Sequence, residues 1–102
     1  MKKQDILIEL FGDRPQIKIL NFILNEMSFF DYSITDITKL TGLTKPTVYP
    51  IFQAFEKIGL VKKTRTVGNA IMYEASKNSL IYKNLQKFIL ESCISEKVEV
   101  LA

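Results

Sequence analysis

Residues able to grip a polyanion gather in the middle third of the sequence. Between Asp36 and Ala70 stand Lys39, Lys45, Lys57, Lys62, Lys63 and Arg65, against only Asp36 and Glu56, a local charge of +4. The 102-residue chain as a whole carries +3, so the remainder sums to −1. A polyanion-binding face requires such a concentration, and an ordinary surface of solvated lysines has the same composition. Interleaved with the cations are Thr44, Thr47, Tyr49, Gln53 and Asn69. Thr and Gln can hydrogen-bond base edges, and Lys45 can reach guanine or phosphate. Other chemistries lack their residues. There is no His, so the commonest general base and metal ligand are missing, and the single Cys93 cannot build a thiolate cluster or an internal disulfide. No phosphate-cradling glycine loop or Gly-x-Ser-x-Gly elbow occurs, and Asp31 and Asp36 have no evident partner or pocket. No enzyme, metal or cofactor is expected.

These residues need elements to hold them. Residues 4–11 read as a short helix with Ile6, Leu7, Leu10 and Phe11 apolar, ended by Gly12. Asp13 is placed to cap the next helix, with Gln16 three residues on and Pro15 in the first turn. Ile17, Leu20, Leu24 and Met27 mark its face, and Ile19, Phe22 and Ile23 widen it beyond one stripe. After a break at 28–33, Ile34 reads as extended and Thr35 as the cap of a short helix buried through Ile37 and Leu40. Gly42 supplies a tight turn. Thr44 caps the following helix, Pro46 lies in its first turn, and Val48, Ile51 or Phe52, Phe55 and Ile58 form its buried side. Gly59 ends it, with Leu60 as a hydrophobic clasp. The period then changes to two. Residues 60–65 and 70–75 form a hairpin around Thr66-Val67-Gly68-Asn69, with Ile71, Tyr73 and Ala75 on one face. Asn78 or Ser79 opens a last helix that is apolar around most of its circumference.

This order, with its residues, resembles a known architecture. Ser33-Ile34-Thr35-Asp36-Ile37-Thr38-Lys39-Leu40-Thr41-Gly42-Leu43-Thr44-Lys45-Pro46-Thr47-Val48-Tyr49 resembles the helix-turn-helix of winged-helix transcriptional regulators. Phe55-Glu56-Lys57-Ile58-Gly59-Leu60-Val61 is similar to the end of their recognition helix entering the wing. The resemblance runs over residues 14–75 and points to the broad MarR-like and ArsR-like groups of prokaryotes and archaea. It implies a mostly helical α+β fold: a winged helix-turn-helix with a two-stranded wing and added N- and C-terminal helices. It also implies double-stranded DNA as partner, with the recognition helix of residues 44–58 in the major groove and the wing of residues 60–75 on the backbone or minor groove. Thr44, Lys45, Thr47, Tyr49 and Gln53 would face the groove, with phosphate at the free N–H groups after Thr44. Lys62, Lys63 and Arg65 would supply wing affinity, and Asn69 would lie at the wing turn. One residue departs from the family pattern. Pro50 occupies the sixth helical position, where these regulators carry a polar or basic residue. Interior proline costs ~3 kcal/mol unless the helix bends, so a local kink is expected, with groove binding retained.

Duller roles compete at several positions. Thr44 serves first as a cap, Lys39 and Lys57 read as solvated helix lysines, and Tyr49 either packs under the hairpin or contacts DNA. Asn69 is chiefly a turn former, and Cys93 a small buried hydrophobe. The chain reads as one domain over residues 1–102, with a core at 14–75 and a helix at 78–96 for homodimerisation; a monomer with mutually wrapped terminal helices is the alternative. A winged helix used for protein interaction is the competing function. No bilayer-spanning run and no signal-peptide pattern occur, so a cytoplasmic location is expected. No polar cluster marks an effector pocket.

Overall fold

The computed structural model describes residues 6–27 and 29–101, with side chains described as far as Ser92. The elements are α1 (Ile6–Phe11), α2 (Pro15–Asn25), β1 (Tyr32–Ser33), α3 (Ile34–Thr41), α4 (Lys45–Lys57), β2 (Val61–Val67), β3 (Ala70–Ala75) and α5 (Leu80–Leu101). The fold is mostly helical with a small antiparallel sheet, as expected.

Local chemistry sets most element ends, in places through residues other than those expected. Pro15 opens α2, but the cap is Arg14, which offers only its carbonyl, to Lys18 N–H at 2.9 Å. The expected Asp13 cap and its box with Gln16 do not form; Asp13 instead pairs with Lys18 at 3.7 Å. A reciprocal capping box forms at α3. Ser33 Oγ accepts from Asp36 N–H at 3.1 Å, and Asp36 Oδ2 accepts from Ser33 N–H at 3.1 Å. Ser33 therefore displaces the expected Thr35 cap, because the Ser33–Asp36 pair satisfies two backbone donors at once. Ile34 becomes the first helical residue, and the extended segment moves back to β1.

Gly42, with φ at 76°, turns the chain between α3 and α4 in a left-handed conformation that a side chain would strain. Thr41 braces the turn, donating to the Ile37 carbonyl at 2.6 Å and accepting from Leu43 N–H at 3.3 Å. At the far end of α4, Gly59 N–H donates to the Glu56 carbonyl at 3.1 Å and Leu60 N–H to the Phe55 carbonyl at 2.9 Å. That pair of bonds delivers Leu60 into the core, as expected of a hydrophobic clasp.

The sheet order is β1-β3-β2, antiparallel throughout. Tyr32 pairs with Tyr73 and Ser33 with Met72, so the expected two-stranded wing gains a third strand at its base. The extended pair Tyr32–Ser33, whose second residue is also the α3 cap, covers an edge that β3 would otherwise expose. At the tip, Gly68 has φ of 63° and Asn69 follows, the glycine-first order of a two-residue hairpin turn.

The core joins every layer. Leu7, Ile19, Ile23, Leu24, Ile37, Val48, Phe52, Val61, Ala75 and Ile89 are all buried. Phe52 meets Tyr73 edge-on at 5.4 Å between ring centres, tying α4 to the hairpin. Two expected core residues, Leu40 and Ile58, are exposed instead, as is Ile71, which was read as sharing a face with Tyr73 and Ala75. Ile37 takes the inward position of short α3, Ile58 lies past the last turn of α4, and Ile71 lies toward the hairpin tip, beyond the packed body.

Ser79 starts α5, its Oγ accepting from Tyr82 N–H at 3.3 Å and donating to the Ser76 carbonyl at 2.8 Å. Gln86 Nε2 donates to the Leu24 carbonyl near the end of α2 and to the Tyr82 hydroxyl at 3.0 Å. Tyr82 and Ile89 are buried, whereas Leu80, Phe88 and Leu90 are exposed. The Cys93 side chain and the Gln4 helix start lie outside the described residues.

Candidate nucleic-acid interface

The interface is best built from the first turn of α4. Thr44 has the extended backbone of a cap, but its side chain makes no capping bond. Its Oγ1 lies 3.1 Å from Thr47 Oγ1 instead. The Thr44 carbonyl accepts from Thr47 N–H at 3.0 Å and Val48 N–H at 2.9 Å, and Pro46 has no N–H. The expected cluster of free N–H groups thus shrinks to that of Lys45, the one first-turn donor of α4 without a partner among the described residues. Lys45 itself is exposed, so ammonium and amide can serve the same phosphate.

The outward side of α4 follows from its buried side. With Val48 and Phe52 turned into the core, Lys45, Pro46, Tyr49, Pro50 and Gln53 are exposed and Thr47 is half-buried. Tyr49 is 50% exposed, so half of its surface stays open to solvent beside the hairpin. The helix runs unbroken from Lys45 to Lys57; Pro50 does not divide it, although it offers the Pro46 carbonyl no N–H. Lys39 and Lys57 are exposed without an ion-pair partner among the described residues, in keeping with solvated lysines.

The hairpin engages two of its three cations in ion pairs. Lys62 pairs with Glu74, its cross-strand neighbour, at 3.3 Å. The β2–β3 register slips between Lys63 and Thr66, a bulge that re-aims Thr64 and Arg65. Arg65 Nε donates to Asp31 Oδ2 at 2.9 Å and Nη2 to Oδ1 at 3.3 Å, while Thr64 Oγ1 donates to the same Oδ2 at 3.0 Å. Asp31, read from sequence as having no partner, anchors the wing, and Asp36 closes the α3 capping box. The hydrogen bond from Arg65 holds the Asp31 carboxyl below its ordinary range, against an opposing desolvation, with Thr64 adding to the lowering. The same contact raises Arg65 above its ordinary value. Lys63 has no ion-pair partner among the described residues. Arg65 keeps Nη1 clear of Asp31.

Between helix and hairpin lies a cleft of about 470 Å³. Lys45, Pro46 and Tyr49 form one wall, Asn69 and Ile71 the other, with Tyr73 between them. Burial, followed by the charges of Glu56 and Tyr49, holds the Tyr73 phenol above its ordinary range. The structure thus brings Lys45, Tyr49 and Asn69 together. Gln53 stands further along α4, and Lys62, Lys63 and Arg65 lie outside the cleft. Sequence reasoning missed Asp31, whose partner is 34 residues away, and the outward carbon surfaces of Pro46 and Pro50, for which helical spacing was a usable signal. Among the described residues, no group of three or more His, Cys, Asp or Glu could hold a metal ion, and no helix is long and apolar enough to cross a membrane.

Residues 17–65, just under half the chain, match the model of the IclR helix-turn-helix domain. The match runs from α2 through α3 and α4 to Arg65 of β2. It supports the winged helix-turn-helix architecture and does not point specifically to the MarR-like and ArsR-like groups suggested by the sequence pattern. No curated protein and no solved structure matches the chain significantly. The chain carries a winged helix-turn-helix DNA-binding domain.

Proposed function

We propose that this protein is a sequence-specific regulator of transcription that binds double-stranded DNA as a homodimer. The observation that carries the reading is the exposed outer face of α4, which lies within the segment that matches the IclR helix-turn-helix domain and stands beside a lysine-bearing hairpin. In this reading α4 enters the major groove. Lys45 and its N–H bind phosphate or guanine, and Thr44, Thr47, Tyr49 and Gln53 contact base edges or the adjoining backbone. Lys63 and the free side of Arg65 meet the backbone or minor groove, with Lys62 and Asn69 at the same surface, and these contacts supply affinity more than sequence choice.

The 102 residues act as one domain, in a cytoplasmic setting, with residues 14–75 as the reading core. The terminal helices supply the dimer contact: Leu10 and Phe11 on α1 and Phe88 and Leu90 on α5 are exposed apolar residues that a second copy would cover. Two-fold symmetry would set two copies of α4 against half-sites ~34 Å apart. Light scattering at micromolar concentration is expected to give twice 11.7 kDa, and the monomer mass would remove the dimer.

A second reading, a winged helix docking on another protein, draws on the exposed Pro46, Tyr49 and Pro50. Fluorescence anisotropy separates the two. The chain is titrated onto its own upstream duplex and a scrambled duplex, from low to near-physiological salt. Regulation predicts tight binding that persists on the upstream duplex alone. Equal binding that falls steeply with salt would indicate a nonspecific coat, and no binding even at low salt would favour protein docking.

A further inference from the structure

The polar contact set leaves one feature of α4 unexplained. Pro46, Tyr49, Pro50 and Gln53 recur at spacings of three, one and three residues, which places them on one helical face, opposite buried Val48 and Phe52. All four are exposed, and the first three present mostly carbon. A solvent-facing helix stripe is ordinarily polar. The two proline rings have no N–H and no polar side-chain atom, so neither ring can hydrogen-bond a base. In the major groove, the apolar feature that carbon surface can recognise is the C5 methyl of thymine. The flanking groups say which apolar partner fits. Lys45 edges the stripe on the same helix, and Lys63 stands on the neighbouring hairpin, so the complementary surface is anionic with methyl groups at its centre. B-form DNA with thymines in the groove has that character.

We infer that α4 selects thymine through the carbon surfaces of Pro46, Tyr49 and Pro50, with Gln53 reading an adjacent adenine by its N6 and N7 groups. The inference rests on the DNA-binding reading above and names what that face recognises.

The test begins with selection of bound sequences from random duplexes by the full chain. Each thymine of the selected duplex is then replaced in turn by uracil, which removes only the methyl group, and affinity is measured by anisotropy. Thymines beneath α4 are expected to lose about fourfold per methyl, the worth of one buried carbon, and thymines elsewhere to lose nothing. Pro50→Gly, which removes the side-chain carbon altogether and is checked for folding by its thermal transition, is expected to abolish the thymine-over-uracil preference at one position while leaving the others. Equal binding of thymine and uracil duplexes, by a chain that still prefers the selected duplex to a scrambled one, would overturn the inference and leave the DNA-binding reading standing. Failure to enrich any sequence would overturn both, as a protein-docking face requires.

Discussion

The bonds that shape the ends of α4 are local, joining Val48 to Thr44, Gly59 to Glu56 and Leu60 to Phe55. The hairpin beside it is held from a distance: Arg65 is fixed by Asp31, 34 residues earlier, and β3 pairs with β1 across a similar gap. The helix therefore presents its outer face as a consequence of its own sequence, while the direction of the wing cation depends on a loop in another part of the fold. The difference suggests a division of labour. A locally determined face can carry sequence choice, and a surface ion pair that salt can loosen suits contacts to the uniform phosphate backbone.

The sharpest challenge to this separation lies at the joint. Phe52 is buried and meets Tyr73 edge-on, so Phe52→Ala is expected to cost about 3–5 kcal/mol in urea unfolding. A loss below about 1 kcal/mol would mean that α4 and the hairpin are not packed as one unit. Within α4 itself, Pro50→Ala returns an N–H to the Pro46 carbonyl and should raise stability by about 1–3 kcal/mol, read from the thermal midpoint. A fall would show that the surrounding structure exploits the fixed φ of proline more than it needs the hydrogen bond.

On the hairpin, Lys63→Ala should weaken binding to specific and scrambled duplexes alike and lower the salt slope by about one. Loss confined to the specific duplex would assign base reading to Lys63. The smallest expected effect concerns Asp31. Because Arg65 lowers its folded-state pKa, the pair contributes stability at pH above the unfolded value, and that contribution is lost as pH falls through the lowered value. An NMR titration should place Asp31 below 3.8, and Arg65→Gln should return it toward that value. An unchanged Asp31 in the variant would remove Arg65 as the cause.

The same contrast explains what could be read in advance. Pro15, Gly42, Pro46, Gly59 and the Gly68-Asn69 turn act through short-range backbone restrictions, and their elements were legible from sequence. The α3 cap was misplaced because Ser33 and Thr35 are both competent caps, and the decision rests on reciprocity with Asp36. The short extended segment was placed at Ile34 and its pairing missed, because two residues carry no period and the pairing with Tyr73 and Met72 is set by tertiary packing. Within the candidate site, the exposure of Lys45, Tyr49 and Gln53 followed from the buried positions of Val48 and Phe52. The engagement of Lys62 by Glu74 and of Arg65 by Asp31 required strand register and a bulge that no local pattern announces.

The most direct measurement compares the intact chain with a wing-neutralised chain, Lys62→Ala, Lys63→Ala and Arg65→Ala together, on the selected and scrambled duplexes at one salt concentration. If α4 carries sequence choice and the hairpin supplies affinity, both affinities fall and their ratio stays the same. A ratio that collapses toward one would place sequence choice in the wing and contradict the account.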